Sequence, residues 1–403
     1  MNPVSRKTST QAISEAQRRL AQFRRGYFKE RSGQIVSTIR ELVEIESPSD
    51  SKAAVDRMSD AVTKKFAALG GEIKIHPVKD FGNHLQVDFP GDSTSKPVLL
   101  LGHYDTVYPL GTLATMPCRI TRDKLTGPGV LDMKSGIALM LHALAALQDW
   151  HIEGWRGVLP RPVTVLLVSD EEVGSDSSRA ITESLAKKSA AVLVLEPSYG
   201  FQGAVKTARK GVGDYFLKVT GKASHAGLDF QRGANAIVEL ARQIEKISGF
   251  TDLQKGLTVN IGIVAGGTRT NVVPSDASAR IDVRIARIKD AAGVDKKMRA
   301  LRPFNRKCKI EVTGGINRPP MERTAGVAAL FKQAKAIAGE LGWKLGEAAV
   351  GGGSDGNFTA ALGIPTLDGL GGVGDGAHAS HEHILISELP RRAALLARLI
   401  EMA

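Results

Sequence analysis

Histidines and acidic residues stand at the ends of apolar runs in this 403-residue chain, where they could bind metal ions or move protons. His103 and Asp105 close the run Val98-Leu99-Leu100-Leu101. Residues two apart on a strand project to the same side. That spacing suits a metal-ligating imidazole with a carboxylate near enough to orient its ring. Alone, the triplet would read as a surface histidine and a turn aspartate. Asp132 follows Gly127-Pro128-Gly129-Val130-Leu131 and precedes a helical pattern opening at Met133-Lys134-Ser135-Gly136. The plainer reading of Asp132 is a helix N-cap, although an aspartate at a loop-helix junction can also offer both oxygens to two cations.

Glu171 and Glu172 directly follow the run Val163 to Val168 and Ser169-Asp170. Adjacent residues at a strand end diverge, so one carboxylate can bind a cation while the other accepts a proton. Like charges this close repel unless a cation lies between them, which makes the pair more informative than two acids opening a loop. Glu196 ends Ala191 to Leu195, and an unpartnered carboxylate is costly to bury there. A metal or an arginine is the expected partner. His378, His381 and His383 share one glycine-flanked loop. Residue chemistry alone does not choose among them.

The elements that must position these groups alternate between helix and strand from about Ser32, the pattern of α/β folds with largely parallel sheets. Helices are predicted over about 33–46 and 51–69, and buried strands at the three apolar runs. Ligands in open α/β sheets bind beyond the carboxyl ends of strands, and these runs all end in histidine or carboxylates. Between about Ala204 and Pro319 the pattern changes. Strands are predicted over Tyr215 to Thr220, Leu257 to Ile263 and Ala277 to Ile285, with a helix over 233–247. Strict alternation of Ala277, Ala279, Ile281, Val283 and Ile285 with Ser278, Arg280, Asp282 and Arg284 predicts an antiparallel sheet with one wet face. The expected fold is therefore α/β: a catalytic domain (1–207 and 320–403) with a mixed, largely parallel sheet, and an inserted α+β domain over 208–319.

Composition is that of a globular protein, 42% hydrophobic and 24% charged. Cys118 and Cys308 are isolated, which excludes a disulfide framework or a CxxC metal site. The net charge of +12 could suggest a nucleic-acid or membrane binder, yet residues 1–31 hold eight Lys or Arg against two Glu, half of that excess. This segment spaces Ile13, Ala16, Leu20, Phe23 and Tyr27 like an amphipathic helix. It is read as a first helix packed on the domain rather than as an arm. No run approaches the ~20 uninterrupted apolar residues of a membrane span, and no secretory core opens the chain. A cytoplasmic protein is expected, without nucleic acid and without stable membrane association.

Six blocks, taken in order, resemble the M20 family of metallopeptidases, in particular its glutamate carboxypeptidase branch, with acetylornithine deacetylase and succinyl-diaminopimelate desuccinylase as relatives. They are Leu-Gly-His103-Tyr-Asp105-Thr-Val, Gly-Pro-Gly-Val-Leu-Asp132-Met-Lys, Ser-Asp-Glu171-Glu172-Val-Gly-Ser, Leu-Glu196-Pro, Gly-Lys-Ala-Ser-His225-Ala-Gly and Gly-Gly-Gly-Ser-Asp355. The similarity runs from about Ile35 to the end. It implies two divalent metal ions, zinc with cobalt or manganese as alternatives, held by His103, Asp132, Glu172, Glu196 and a C-terminal histidine, with Asp132 bridging. His378, followed by Glu382 and Ile384, fits the family's last-ligand spacing, and His381 is the reserve. The same resemblance makes Glu171 the general base, Asp105 the support of His103, and His225 an oxyanion donor reaching a partner subunit in a homodimer. Asn271 and Arg284 match residues that hold a substrate carboxylate. The implied activity is cleavage of an amide beside a free carboxylate in a small-molecule substrate, foremost as a glutamate-releasing carboxypeptidase. The alternatives are an N-acyl amino acid deacylase and a catalytically silent binding protein of the same fold.

Overall fold

The computed structural model describes residues 20–402 apart from 21, 93 and 151–158. Two compact units emerge: Met1–Thr207 with Arg323–Ala349 and Ser354–Ala403, and Ala208–Glu322 with Val350–Gly353. The short return of Val350–Gly353 to the second unit has a local cause. Lys210 N–H donates to the Val350 carbonyl at 3.0 Å, and the Arg209 guanidinium donates to the Gly352 and Gly353 carbonyls at 3.2 and 3.0 Å.

The first unit is built on a sheet of β1 (Glu72–His76), β2 (His84–Phe89), β3 (Val98–His103), β4 (Val163–Val168), β5 (Ala191–Val194) and a last strand at Thr366–Leu367. Their spatial order is β1-β2-β4-β3-β5 and then Thr366–Leu367. The last four run parallel, whereas β1 and β2 join antiparallel. Every residue of β3, β4 and β5 is buried. Helices on both faces of a parallel sheet leave its strands no wet side, so they read as unbroken apolar runs rather than alternating ones. Because β3, β4 and β5 point the same way, His103, the Ser169–Glu172 turn and Glu196 emerge at one edge.

Helices α1 (Ser32–Val43), α2 (Lys52–Ala68), α3 (Ser135–Asp149) and α4 (Arg179–Lys188), with Ala325–Glu340 and Leu389–Met402, surround this sheet. Residues of α3 and of Leu389–Met402 share the main core, so α3 is apolar nearly all round. The segment Val130–Asp149 is long and apolar enough to cross a membrane by length and composition, yet 83% of its apolar window is buried inside the unit. Residues 22–30 are helical. Their inward face matches the predicted stripe only in part: Tyr27 packs against the core, but Leu20 and Phe23 are exposed, whereas Phe28 is fully buried and Arg24 nearly so. Arg24 is buried because it pairs with Glu401 at 2.9 Å and lies over Trp150. Ile13 and Ala16 lie outside the described residues.

The second unit holds β6 (Gly211–Thr220), β7 (Thr258–Gly266), β8 (Asp276–Ile285) and β9 (Lys309–Arg318) in the antiparallel order β7-β8-β6-β9. Ala277, Ala279, Ile281, Val283 and Ile285 of β8 are at most 3% exposed, so the alternation marks the core face. Helices α5 (Ala236–Ser248) and α6 (Ile288–Arg299) supply core residues to the same unit. The Asn235 side chain caps α5 by accepting from the Val238 N–H at 3.0 Å, as an N-cap asparagine does. A separate ribbon pairs Ser224–His225 with Val272–Val273.

Candidate active site

His103 closes β3 just after Gly102, against which the Met133 side chain packs: a Cβ there would lie 2.4 Å from Met133 Cε and 3.0 Å from its sulfur, so the methionine would have to shift. The Met133 sulfur also accepts the His103 N–H at 3.3 Å. The imidazole Nδ1 donates to the Asp105 backbone carbonyl at 3.0 Å, which fixes the ring and directs the Nε2 lone pair outward. The carboxylate of Asp105, expected to orient this ring, is farther from Nδ1, at 3.4 Å. Its oxygens accept instead from Ser49 Oγ at 2.7 Å and from the Glu171 and Glu172 N–H groups at 3.3 and 3.2 Å. Asp105 therefore serves two elements at once, the histidine strand and the glutamate turn.

Asp132 precedes α3 rather than capping it, because that helix opens only at Ser135. Its loop is pinned from elsewhere. The fully buried Glu382 carboxylate accepts the N–H groups of Gly129, Leu131 and Asp132 at 2.9, 2.7 and 2.9 Å. Freed from capping, Asp132 turns Oδ1 to His103 Nε2 at 3.1 Å and Oδ2 to His378 Nε2 at 3.4 Å. Glu196 Oε1 lies 3.3 Å from His103 Nε2, and Glu172 stands 3.2 Å from His378 Nε2. Glu171 completes one group with His103 and Glu196, whose donor atoms lie within 4.8 Å of one another, and His103, Asp132 and Glu172 form a second such group.

The structure thus brings together His103, Asp105, Asp132, Glu171, Glu172, Glu196 and His378. His378 is the histidine of the C-terminal loop that faces the acids; its φ of +63° turns it inward from a half-exposed position. His381 is exposed, and His383 Nδ1 bonds to the His381 carbonyl at 3.0 Å. In the second unit His225 and Asn271 are neighbours on the ribbon, since the Asn271 carbonyl accepts the Ala226 N–H at 2.9 Å. His225 is exposed, and its Nδ1 accepts from the Gly227 and Leu228 N–H groups, both at 3.1 Å, which places the proton on Nε2. Arg284 is not beside them. It sits eight residues beyond Asp276 on β8, roughly 26 Å along an extended strand, with its guanidinium on Asp282 at 2.9 Å.

Electrostatics says what this cluster accepts. Burial alone would push the His103 imidazolium down, but the facing carboxylates of Asp105, Asp132 and Glu196 outweigh it and hold the ring's pKa well above the usual histidine range. Asp132 and Glu172 raise His378 to about 10 against its partial burial. Burial also lifts Glu172, while the two histidines pull Asp132 down despite its burial. Two imidazole lone pairs converging on three carboxylates demand positive charge in their midst. Divalent cations meet that demand while leaving both rings neutral, and imidazole with carboxylate is a donor set that suits them.

Reading by residue pattern missed Glu382 and Ser49 as supports of the site. The only signal was the place of Glu382 four residues after His378; its bonds to the Asp132 loop, some 250 residues earlier, left no trace in local sequence.

Comparison with known proteins agrees with this geometry. Residues 99–402 match the model of Peptidase family M20/M25/M40. Carboxypeptidase G2 of Pseudomonas sp. (strain RS-16) is 32% identical, over 91% of this chain and 88% of that protein. Among solved structures, aminopeptidase PepT of Bacillus cereus ATCC 10987 superposes with a TM-score of 0.74 at 23% identity, over 92% of this chain and 98% of that one. The YXEP protein of Bacillus subtilis, described as a dinuclear metal-binding peptidase of the M20 family, does so at 0.68 and 15%, over 93% and 98%. With most of its length matched by the family model, and an imidazole-carboxylate cluster at the strand ends of its larger unit, this chain belongs to peptidase family M20/M25/M40 and is a metal-binding hydrolase.

Proposed function

We propose that the protein is a dinuclear metallopeptidase that cleaves an amide beside a free carboxylate, releasing glutamate from a small acyl-glutamate. The observation that carries the dinuclear part is the division of the Asp132 carboxylate, one oxygen toward His103 and the other toward His378. His103, Asp132 and Glu196 would hold one ion, and Asp132, Glu172 and His378 the other. Zinc is the proposed metal, with cobalt and manganese compatible with the same donors. Two such ions, when bound, acidify water and polarise the scissile carbonyl.

The chain's own residues do the rest. Glu171, 9% exposed and within 4.8 Å of the His103 and Glu196 donor atoms, takes a proton from the attacking water and returns it to the leaving nitrogen. Asp105 holds the Glu171 backbone while it does so. His225, with its proton on Nε2, donates to the oxyanion developing in the partner subunit's site, and Asn271 beside it binds substrate there. Arg284, roughly 26 Å along β8 from their ribbon, keeps Asp282 as its partner and is not assigned to the same substrate carboxylate.

A homodimer formed through the inserted unit belongs to this reading. Support comes from β7, an edge strand exposing Ile263 and Val264, and from Ile237 and Val238 exposed on α5; apolar edges of this kind are normally covered. Cytoplasmic residence is part of the same proposal.

The deciding experiment is a hydrolysis panel on metal-reconstituted protein, comparing acyl-glutamates such as folyl-glutamate with N-acetylornithine and unmodified dipeptides. Preferential release of glutamate supports the proposal. Preference for N-acetylornithine would transfer the protein to the deacylases, and preference for dipeptides to the dipeptidases.

A further inference from the structure

The loop that carries His378 is held in place by a residue close in sequence to His103. Residues 376–382 connect the paired strands Gly374–Asp375 and His383–Leu385. Two backbone hydrogen bonds fold this loop, from Ala379 to the Gly376 carbonyl at 2.9 Å and from Glu382 to the Ala379 carbonyl at 3.0 Å. Gly376 and His378 both take positive φ, +84° and +63°. For histidine that conformation is strained and persists only where neighbours impose it. The loop's far end is secured by the three backbone bonds to Glu382. Its middle, where His378 lies half-exposed, needs another restraint.

Tyr108 supplies it. Its hydroxyl donates to the Ala379 carbonyl at 3.0 Å, one residue from His378. A single phenol thus ties down the centre of the loop, which Glu382 anchors at its end. Tyr108 stands five residues after His103, so the tie runs from the segment that follows one histidine's strand to the loop that carries the other.

We infer that Tyr108 is a positioning residue for the second metal ion: its hydroxyl holds the 376–382 loop so that His378 Nε2 keeps facing Asp132 and Glu172. This rests on the reading in which His378 is a ligand. In this role Tyr108 acts through the loop, by its bond to the Ala379 carbonyl. Groups that orient metal ligands typically govern metal affinity by 10–100-fold, and their loss falls on the ion whose ligand they hold.

The test uses full-length protein stripped by chelation and titrated with cobalt(II), followed by the visible absorption of each equivalent. Wild type takes up two ions. In Tyr108→Phe, which removes only the hydroxyl, the first ion binds as in wild type and the second about tenfold or more weaker. Saturating metal restores kcat, and the metal-free melting temperature stays within a degree or two of wild type; Tyr199→Phe, at an exposed tyrosine, changes nothing. Equal second-ion affinity in Tyr108→Phe overturns the inference. So does equal weakening of both ions, or a lowered melting temperature with activity that metal does not restore, since either marks a general structural role. A wild type that binds a single ion overturns the dinuclear reading itself, a result distinct from the others.

Discussion

The backbone N–H of Asp132 donates to the Glu382 carboxylate at 2.9 Å, so the residue that faces both histidines is aimed by an acid 250 positions away in sequence. Glu382 also holds Gly129 and Leu131. Burial pushes its carboxyl pKa upward, with Tyr108 and these three N–H groups pulling back. Glu382→Gln exchanges one acceptor oxygen for an amide that opposes N–H donors. Bonds to a charged group contribute about 1.5–3 kcal/mol each, so the variant should lose about 2–3 kcal/mol in urea unfolding. Metal affinity should fall about tenfold. Unchanged unfolding and unchanged metal binding would show that the Asp132 loop holds itself.

Glu171 should be separable from the ligands. Glu171→Gln keeps the side chain's size and removes its basicity, so kcat should drop by about 10²–10⁴, the usual range for a positioned proton shuttle. Two ions per chain should remain by elemental analysis. If turnover survives with both metals bound, the base is another group. Asp105→Asn offers a related check, because its carboxylate orders the Glu171 and Glu172 backbone; kcat should fall there too, with KM little changed.

Much of this architecture was legible because burial writes itself into pattern. The unbroken runs of β3, β4 and β5 and the alternation of β8 report two-sided and one-sided burial directly. Each run also ends in its chemistry, so the sequence pattern alone gathers His103, Glu171, Glu172 and Glu196. Asp132 was harder: a loop-helix junction looks the same whether the aspartate caps the helix or faces a cation, and only the pinning by Glu382 separates the two. The helix over residues 22–30 misled for a different reason. Arg24 breaks the hydrophobic rule because its charge meets Glu401 and Trp150, while Phe23 is exposed. Partners distant in sequence leave no periodicity to read.

Acid stability offers a test away from the metals. His142 on α3 is largely buried, with Nε2 against Thr38 Oγ1 at 3.0 Å. Burial first, and then Lys65, hold its pKa below the ordinary 6.5. The unfolded chain therefore takes up a proton near pH 6.5 that the folded chain refuses. The stability linked to this histidine is complete above pH 6.5 and is lost as pH falls through that value toward the folded pKa, at up to about 1.4 kcal/mol per pH unit. Urea melts of chelated protein at pH 8, 7, 6 and 5 should show a shallower acid decline in His142→Gln than in wild type. Parallel curves would mean that His142 titrates alike in both states.

Arg392 provides the last prediction, because it couples the C-terminal helix to the loop beside Glu196. The fully buried guanidinium donates from Nε to the Gly371 carbonyl and from Nη1 to the Gly203 carbonyl, both at 2.9 Å, and from Nη2 to the Gly369 carbonyl. Gly371 N–H in turn donates to the Glu196 carbonyl at 2.8 Å. Arg392→Leu strands three buried carbonyls, each costing about 1–3 kcal/mol, so a loss of at least about 3 kcal/mol is expected in unfolding experiments. Arg392→Lys retains the charge but replaces a planar fork with a single ammonium that cannot span all three acceptors; it should fall between the two. The melting order wild type, Lys, Leu should be matched by the same order in affinity for the ion near Glu196. If metal affinity ignores that order while stability follows it, the Gly371 link does not reach the ligand.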